Sequence, residues 1–392
     1  MRRSFPRLAV PLLGLPLLLL VACSGDDGGG ANDDGGTNEG AVTNDGNPPG
    51  PDGGGGGDSG PTKCGSAVCG ANEVCLNGAV CACSPGAIPQ ATGGCIPAPS
   101  DSPASHTQND VCQKWKDGHV VTTPQPFTKG AGQCDLGTFS QGGINDTLTR
   151  INMFRWFEML APVTEDPTKS AGDQACAVIQ GNNNPSSLTP SPHQPQNSAT
   201  CYTSLGATWA GQSNLAWGTS TGDSIDLYMR EPGAGNATSL GHRRWVLNPP
   251  LGKVGIGYVA TGSNTNGYGG QAQCLGVFDT TGSGPKPSWY AWPPPGYVPV
   301  QVTQAVLNQG WAWSFSLKQK NTVNNATITV KNLTTNADAP VTIQKLGSGY
   351  GDDAISFYPS GWTPTAGSVY RVTVDLGAGG KIVYDVLPVT CP

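Results

Sequence analysis

Six of the thirteen cysteines crowd into one window, "CGSAVCGANEVCLNGAVCACSPGAIPQATGGC", Cys64 to Cys95. Their spacing is Cys64-x4-Cys69-x5-Cys75-x5-Cys81-x-Cys83-x11-Cys95. So short a stretch, with so few large apolar side chains, cannot close a hydrophobic core. Cross-links have to carry its fold, at roughly 2–4 kcal/mol each. Six half-cystines allow fifteen pairings, and spacing alone leaves them all open. A zinc knuckle is the competing reading and needs thiolates kept reduced.

The N-terminus decides the redox question. Arg2, Arg3 and Arg7 lead an apolar run from Leu8 to Ala22 that is too short and too broken, by Pro11 and Pro16, to span a bilayer. Residues 1–22 therefore read as a signal peptide. The run ends in "LVAC", which resembles the lipobox of bacterial lipoproteins, and the resemblance implies cleavage before a lipidated Cys23. Losing three arginines would take the net charge from −6 to −9. Ser24 stands where such a lipoprotein would carry an inner-membrane retention Asp, which points to the outer membrane or cell surface. Residues 23–61 are Gly- and Asp-rich with almost no apolar content, a tether that cannot offset the entropy of ordering. About forty such residues reach roughly 35 Å. No Lys/Arg cluster follows, so a nucleic-acid partner is not expected.

Setting Cys23 aside leaves twelve cysteines, an even number in an exported chain, and disulfides are the default. Across 62–97 the C-x-C step and long last loop resemble an EGF-like module. The resemblance implies the pairs Cys64–Cys75, Cys69–Cys81 and Cys83–Cys95. Ala87 replaces the usual aromatic, and no acidic cluster precedes Cys64, so a calcium-binding version is not expected. Sequence nearness gives Cys112–Cys134 and Cys176–Cys201, leaving Cys274 with Cys391. Residues 98–135 read as a connector, with His106 and His119 assigned no role.

From Ile144, Leu148, Ile151, Phe154 and Phe157 recur at helical spacing, with Asn145 or Asp146 available as the cap and Pro162 beyond the end. "SAGDQACAVIQ" is a second helical patch. "TGDSIDLYMREPG" is a short helix ended by Pro232, since a residue before proline is pushed out of the α region. "SLGHRRWVLNPPLGKVGIGYV" begins at a turn and ends in a β-rich run, with "AQCLGVFD" as partner strand. Helices flanking a few strands point to a layered α/β domain.

Over 136–292 these segments resemble the CAP (SCP-like) superfamily. The likeness rests on Asn152 and Arg155 in "INMFR", His193 in "SPHQP", "GQSNLAWG", Glu231 in "LYMRE" and His242 in "LGHRRW", in that order. It implies an α-β-α sandwich with a surface groove floored by His193, Ser213, Glu231 and His242. Ser213 stands where the family has a carboxylate.

Two imidazoles and one carboxylate suit Zn²⁺ or another divalent metal with an open position for water. His193, Glu231 and His242 are the candidate ligands, although no metal is required. A Ser213–His–Glu231 triad is disfavoured because "GQSN" is not a nucleophile elbow, and no residue is assigned as catalytic. The same residues also fit a hydrogen-bonded network bracing long loops. Trp209, Trp217 and Trp245 read as core, and Arg243 and Arg244 as a solvated or structural pair.

In 293–392, "NATITVKN", "SVYRVTVDL" and "KIVYDVLPV" alternate with period two, which reads as an antiparallel β-sandwich. Three functions are compatible with the whole. One is a surface lipoprotein binding a lipid, glycan or peptide in the groove. The second is a metal-assisted hydrolase, and the third an adhesion protein with a vestigial groove.

Overall fold

The computed structural model describes residues 62–318 and 323–392. The signal peptide, Cys23 and the whole tether lie outside the described residues. What is described is a multidomain mixed α/β chain with several sheets and six disulfides. No helix among the described residues is long and apolar enough to cross a membrane.

The small N-terminal module is three two-stranded sheets stapled by Cys64–Cys75, Cys69–Cys81 and Cys83–Cys95. That is the pairing the EGF-like resemblance implies. The module rests on the C-terminal part, where the Asn77 amide donates to the Thr334 carbonyl at 2.6 Å.

Helix α1, Gln108–Gly118, occupies the stretch expected as connector. Thr107 and Asp110 form its capping box. Helix α2 is Gln141–Phe157, and its cap is Ser140, whose hydroxyl accepts from Gly143 N. The caps expected at Asn145 and Asp146 are both inside the helix. Asp146 is buried and accepts from the backbone of Thr122 and Thr123 instead. Ile151, Phe154 and Phe157 are buried, as their spacing requires. Helix α3, Pro167–Asn182, starts with proline at its first position and Asp166 as cap. Helices α4, Ser204–Ala210, α5, Thr221–Arg230, α6, Ala234–Ala237, and α7, Gly241–Val246, follow.

The central sheet runs in the order Ser213–Trp217, Gln271–Gly276, Lys253–Ala260, Thr164–Glu165. Period-two alternation gives its strands two buried faces. Leu215, Val259, Ala272 and Cys274 pack with α3 and α4 residues, while Ala216, Ile256 and Leu275 join the larger core with α2 and α5. Gly257 sets the spacing on the first face. A Cβ there would come within 2.1 Å of the Asp173 backbone, so α3 lies directly on the strand.

The C-terminal part holds a four-stranded and a five-stranded sheet. The first begins at Trp289–Trp292, which pairs with Trp313–Leu317, so this part starts a few residues before the expected 293. Pairing is antiparallel except where Gly296–Pro299 runs parallel to Val386–Val389. One hydrophobic core runs from α2 through Trp292 and Trp313 to Val389, so the two parts are not separately cored.

The remaining disulfides correct the sequence-nearness pairing. They are Cys112–Cys391, Cys134–Cys201 and Cys176–Cys274. Cys274 faces α3 across the sheet, which brings it to Cys176. The last strand ends beside α1, which brings Cys391 to Cys112.

Candidate functional site

"GHRR" lies in helix α7 and not at the head of a strand. Each of its residues has a separate job. Gly241 leaves room for Tyr350, because a Cβ there would sit 2.6 Å from that ring. His242 faces a cleft. Arg243 is buried and donates to the carbonyls of Met229 at 2.7 Å and Ala312 at 2.5 Å. Arg244, also buried, donates to Gly347 O and Asp352 O, and lies 5.4 Å from the Tyr350 ring centre. Both arginines are therefore structural and neither is solvated.

Glu231 positions His242. Pro232 excludes Glu231 from the helical region, and the residue ends α5 in a left-handed conformation at φ 56°. Leu240, just before α7, is left-handed too, at φ 47°. Such backbone costs of order 1–3 kcal/mol per residue and persists only where its surroundings fix it. Here the Glu231 carboxylate fixes it. One oxygen accepts from Arg243 N at 3.0 Å, capping α7, and the other contacts His242 Nδ1 at 2.8 Å. The His242 ring also stacks on Tyr228, centroids 5.4 Å apart. Burial opposes charge on His242, but Glu231 wins and raises its pKa above the ordinary 6.5.

His193 stands across the cleft on the polar loop after α3. Its Nδ1 lies 2.9 Å from the Ala210 carbonyl. A carbonyl only accepts, so Nδ1 carries the proton and Nε2 keeps its lone pair. Desolvation by the cleft walls, helped by the nearby His242, lowers its pKa. The two shifts run in opposite directions, toward the charged ring on His242 and toward the neutral ring on His193.

A carboxyl that the sequence reading did not single out lies directly behind Ser213. Its Oγ is 2.6 Å from Trp209 O and 2.5 Å from Asp173 Oδ1. A hydroxyl has one proton, and the carbonyl takes it. The second short contact needs a proton held by Asp173. Burial, opposed by the hydrogen bond from Gly276 N, pushes that carboxyl from 3.8 up to about 8. Asp173 is a residue that sequence reading missed. In "SAGDQACAVIQ" it looks like an ordinary polar helix position.

His193, Ser213 and His242 line one cleft of about 400 Å³, together with Trp245, Phe278 and Tyr350. Glu231 is not on its surface, its side chain being wholly buried. Trp209 and Trp217 pack the smaller core, whereas Trp245 only leans on the larger one and also walls the cleft. Tyr350 belongs to the C-terminal part, so the cleft is built by both. His106 stacks on Trp156, centroids 3.6 Å apart, and His119 bonds to Trp115 O.

The residues do not fit a three-ligand metal centre. Both Glu231 oxygens are engaged and shielded. Among the described residues the one set of three His, Cys, Asp or Glu ligand atoms within 4.8 Å of one another is Cys64, Cys69 and Cys81, and those sulfurs are in disulfides. No family model, curated protein or solved structure matches this chain.

Proposed function

We propose that this is an exported, lipid-tethered surface protein whose CAP-like α-β-α domain binds a ligand in the cleft without turning it over. In this reading 62–97 is an EGF-like spacer and the C-terminal part a β-sandwich that completes the cleft wall. Six disulfides fit folding in an oxidising compartment.

One observation carries the reading. Two imidazoles meet the cleft, while the carboxyls beside them, Glu231 and Asp173, are buried with their oxygens engaged. That leaves no activated nucleophile and no third metal ligand. The metal-hydrolase alternative loses its carboxylate on the same ground. The bracing alternative holds for Glu231, which caps α7, while His193 is an exposed residue whose Nδ1 alone is tied to the Ala210 carbonyl.

Four histidines make a simple test, selective ¹⁵N-histidine labelling. On titration His242 should ionise above the ordinary 6.5 and His193 below it. A neutral tetrasaccharide, a lysophospholipid and a tetrapeptide are then added in turn. One of them should shift His193 and His242 while leaving His106 and His119 in place. Steady release of product from the bound probe, or no shift with any probe, would overturn the reading.

A further inference from the structure

We infer that the cleft takes a neutral saccharide, an inference that rests on the binding reading above. Its walls carry three rings from three segments. Phe278 is 48% exposed and lies against Trp245, centroids 4.8 Å apart. Tyr350 is held from behind by Gly241 and Arg244. Rings fixed in this way lose little freedom when a ligand covers them, and they suit the C–H faces of a sugar ring.

The polar lining carries several acceptors beside His242, whose charge is balanced by the buried Glu231. Asn214 spends its amide N–H on His242 O at 3.0 Å, and Asn236 spends its own on Pro232 O at 2.8 Å. Each keeps an amide oxygen as acceptor and a second N–H as donor. His193 Nε2 is a third acceptor, since Nδ1 is committed to Ala210 O. Acceptors beside aromatic faces match a ligand that presents many O–H donors around an apolar ring.

Other chemistries match less well. A phosphate or sulfate would require a free cation, but Arg243 and Arg244 turn away to backbone carbonyls and His242 is already paired with Glu231. A basic peptide would require a free carboxylate, and Glu231 and Asp173 are buried behind the cleft. An acyl chain would require a continuous apolar bore, whereas Ser213, Asn214 and Ser239 interrupt this one.

The test titrates the full chain with cellotetraose, chitotetraose and maltotetraose, and with tetragalacturonate and lysophosphatidylcholine as charged and lipid counterparts. Calorimetry and the ¹⁵N-histidine signals provide the readout. At least one neutral tetrasaccharide should bind with a Kd of about 1 mM or tighter and shift both cleft histidines. Phe278→Ala, at an exposed position that leaves the core intact, should weaken binding ~5–10-fold. Tyr350→Ala should weaken it similarly, and Tyr350→Phe should restore it. Binding of the lipid or the polyanion at the cleft, with no neutral sugar bound, overturns the saccharide and keeps the binding reading. Sugar binding indifferent to Phe278→Ala also overturns it. Silence of the cleft histidines with every probe sinks both.

Discussion

Arg243→Met lowers stability by about 3–5 kcal/mol, the expected cost of removing one partner from a buried, charged hydrogen-bonded set. The guanidinium is 1% exposed and reaches from α7 of the central domain to Met229 O, Ala312 O and Ser314 Oγ. Methionine fills the volume but supplies no donor, so two buried carbonyls lose a partner. Two carboxyls lose a charge as well. The Arg243 guanidinium is a nearby cation both to Glu231 and to Glu158, which is wholly buried and held well above the carboxylate range by that burial. Thermal unfolding should shift down by roughly ten degrees. His242 should lose its raised pKa at the same time, because the α7 segment that aims it at Glu231 is pinned through Arg243. Arg243→Lys recovers only part of the loss, since an ammonium cannot span carbonyls on two domains. A midpoint within two degrees of wild type in Arg243→Met would show that the contact between domains is carried by apolar packing alone.

How much of this was legible in the sequence follows from how local each cause is. The α2 stripe Ile151, Phe154 and Phe157 and the end of α5 at Pro232 depend on neighbours a few positions away, and both stand where the pattern puts them. His193, Ser213 and His242 do line one cleft. The disulfides Cys112–Cys391 and Cys176–Cys274 span 279 and 98 positions. No local rule joins such residues, so sequence nearness chose the wrong partners. Tyr350 was hidden in "GSGYGDD", which reads as a plain turn until the hairpin Val341–Lys345 and Asp353–Pro359 carries it to Gly241. For Arg243 and Arg244 the choice between a solvated and a structural pair stayed open because nothing in "GHRRW" shows that a second domain lies over it. Helix α7 itself was missed because Leu240 caps it with no side-chain hydrogen bond and Glu231, nine positions earlier, supplies the missing acceptor.

Asp173→Asn should remove most of the pH dependence of stability between about pH 4 and pH 8. In the unfolded chain this carboxyl titrates near 3.8, and in the folded chain at about 8. Between those values the folded state holds a proton that the unfolded state has released. The difference in bound protons is then negative, so stability falls as pH rises, by up to about 1.4 kcal/mol per pH unit. The contribution is fully present below pH 3.8, is lost progressively up to the folded pKa, and levels off above it. The cause is geometric. Gly255, Gly257 and Gly276 close over Asp173, leaving room for a neutral acid bonded to Ser213 Oγ and Gly276 N but not for a hydrated carboxylate. Asparagine keeps that arrangement, its N–H donating to Ser213 Oγ and its carbonyl accepting from Gly276 N. Urea unfolding of the variant should show a far smaller loss of stability from pH 5 to pH 9 than wild type, the remainder coming from His242. Wild type should be weaker than the variant at pH 9 by several kcal/mol. Parallel pH profiles for the two proteins would mean that Asp173 is ionised in the fold, and Ser213 would then donate to it instead of accepting.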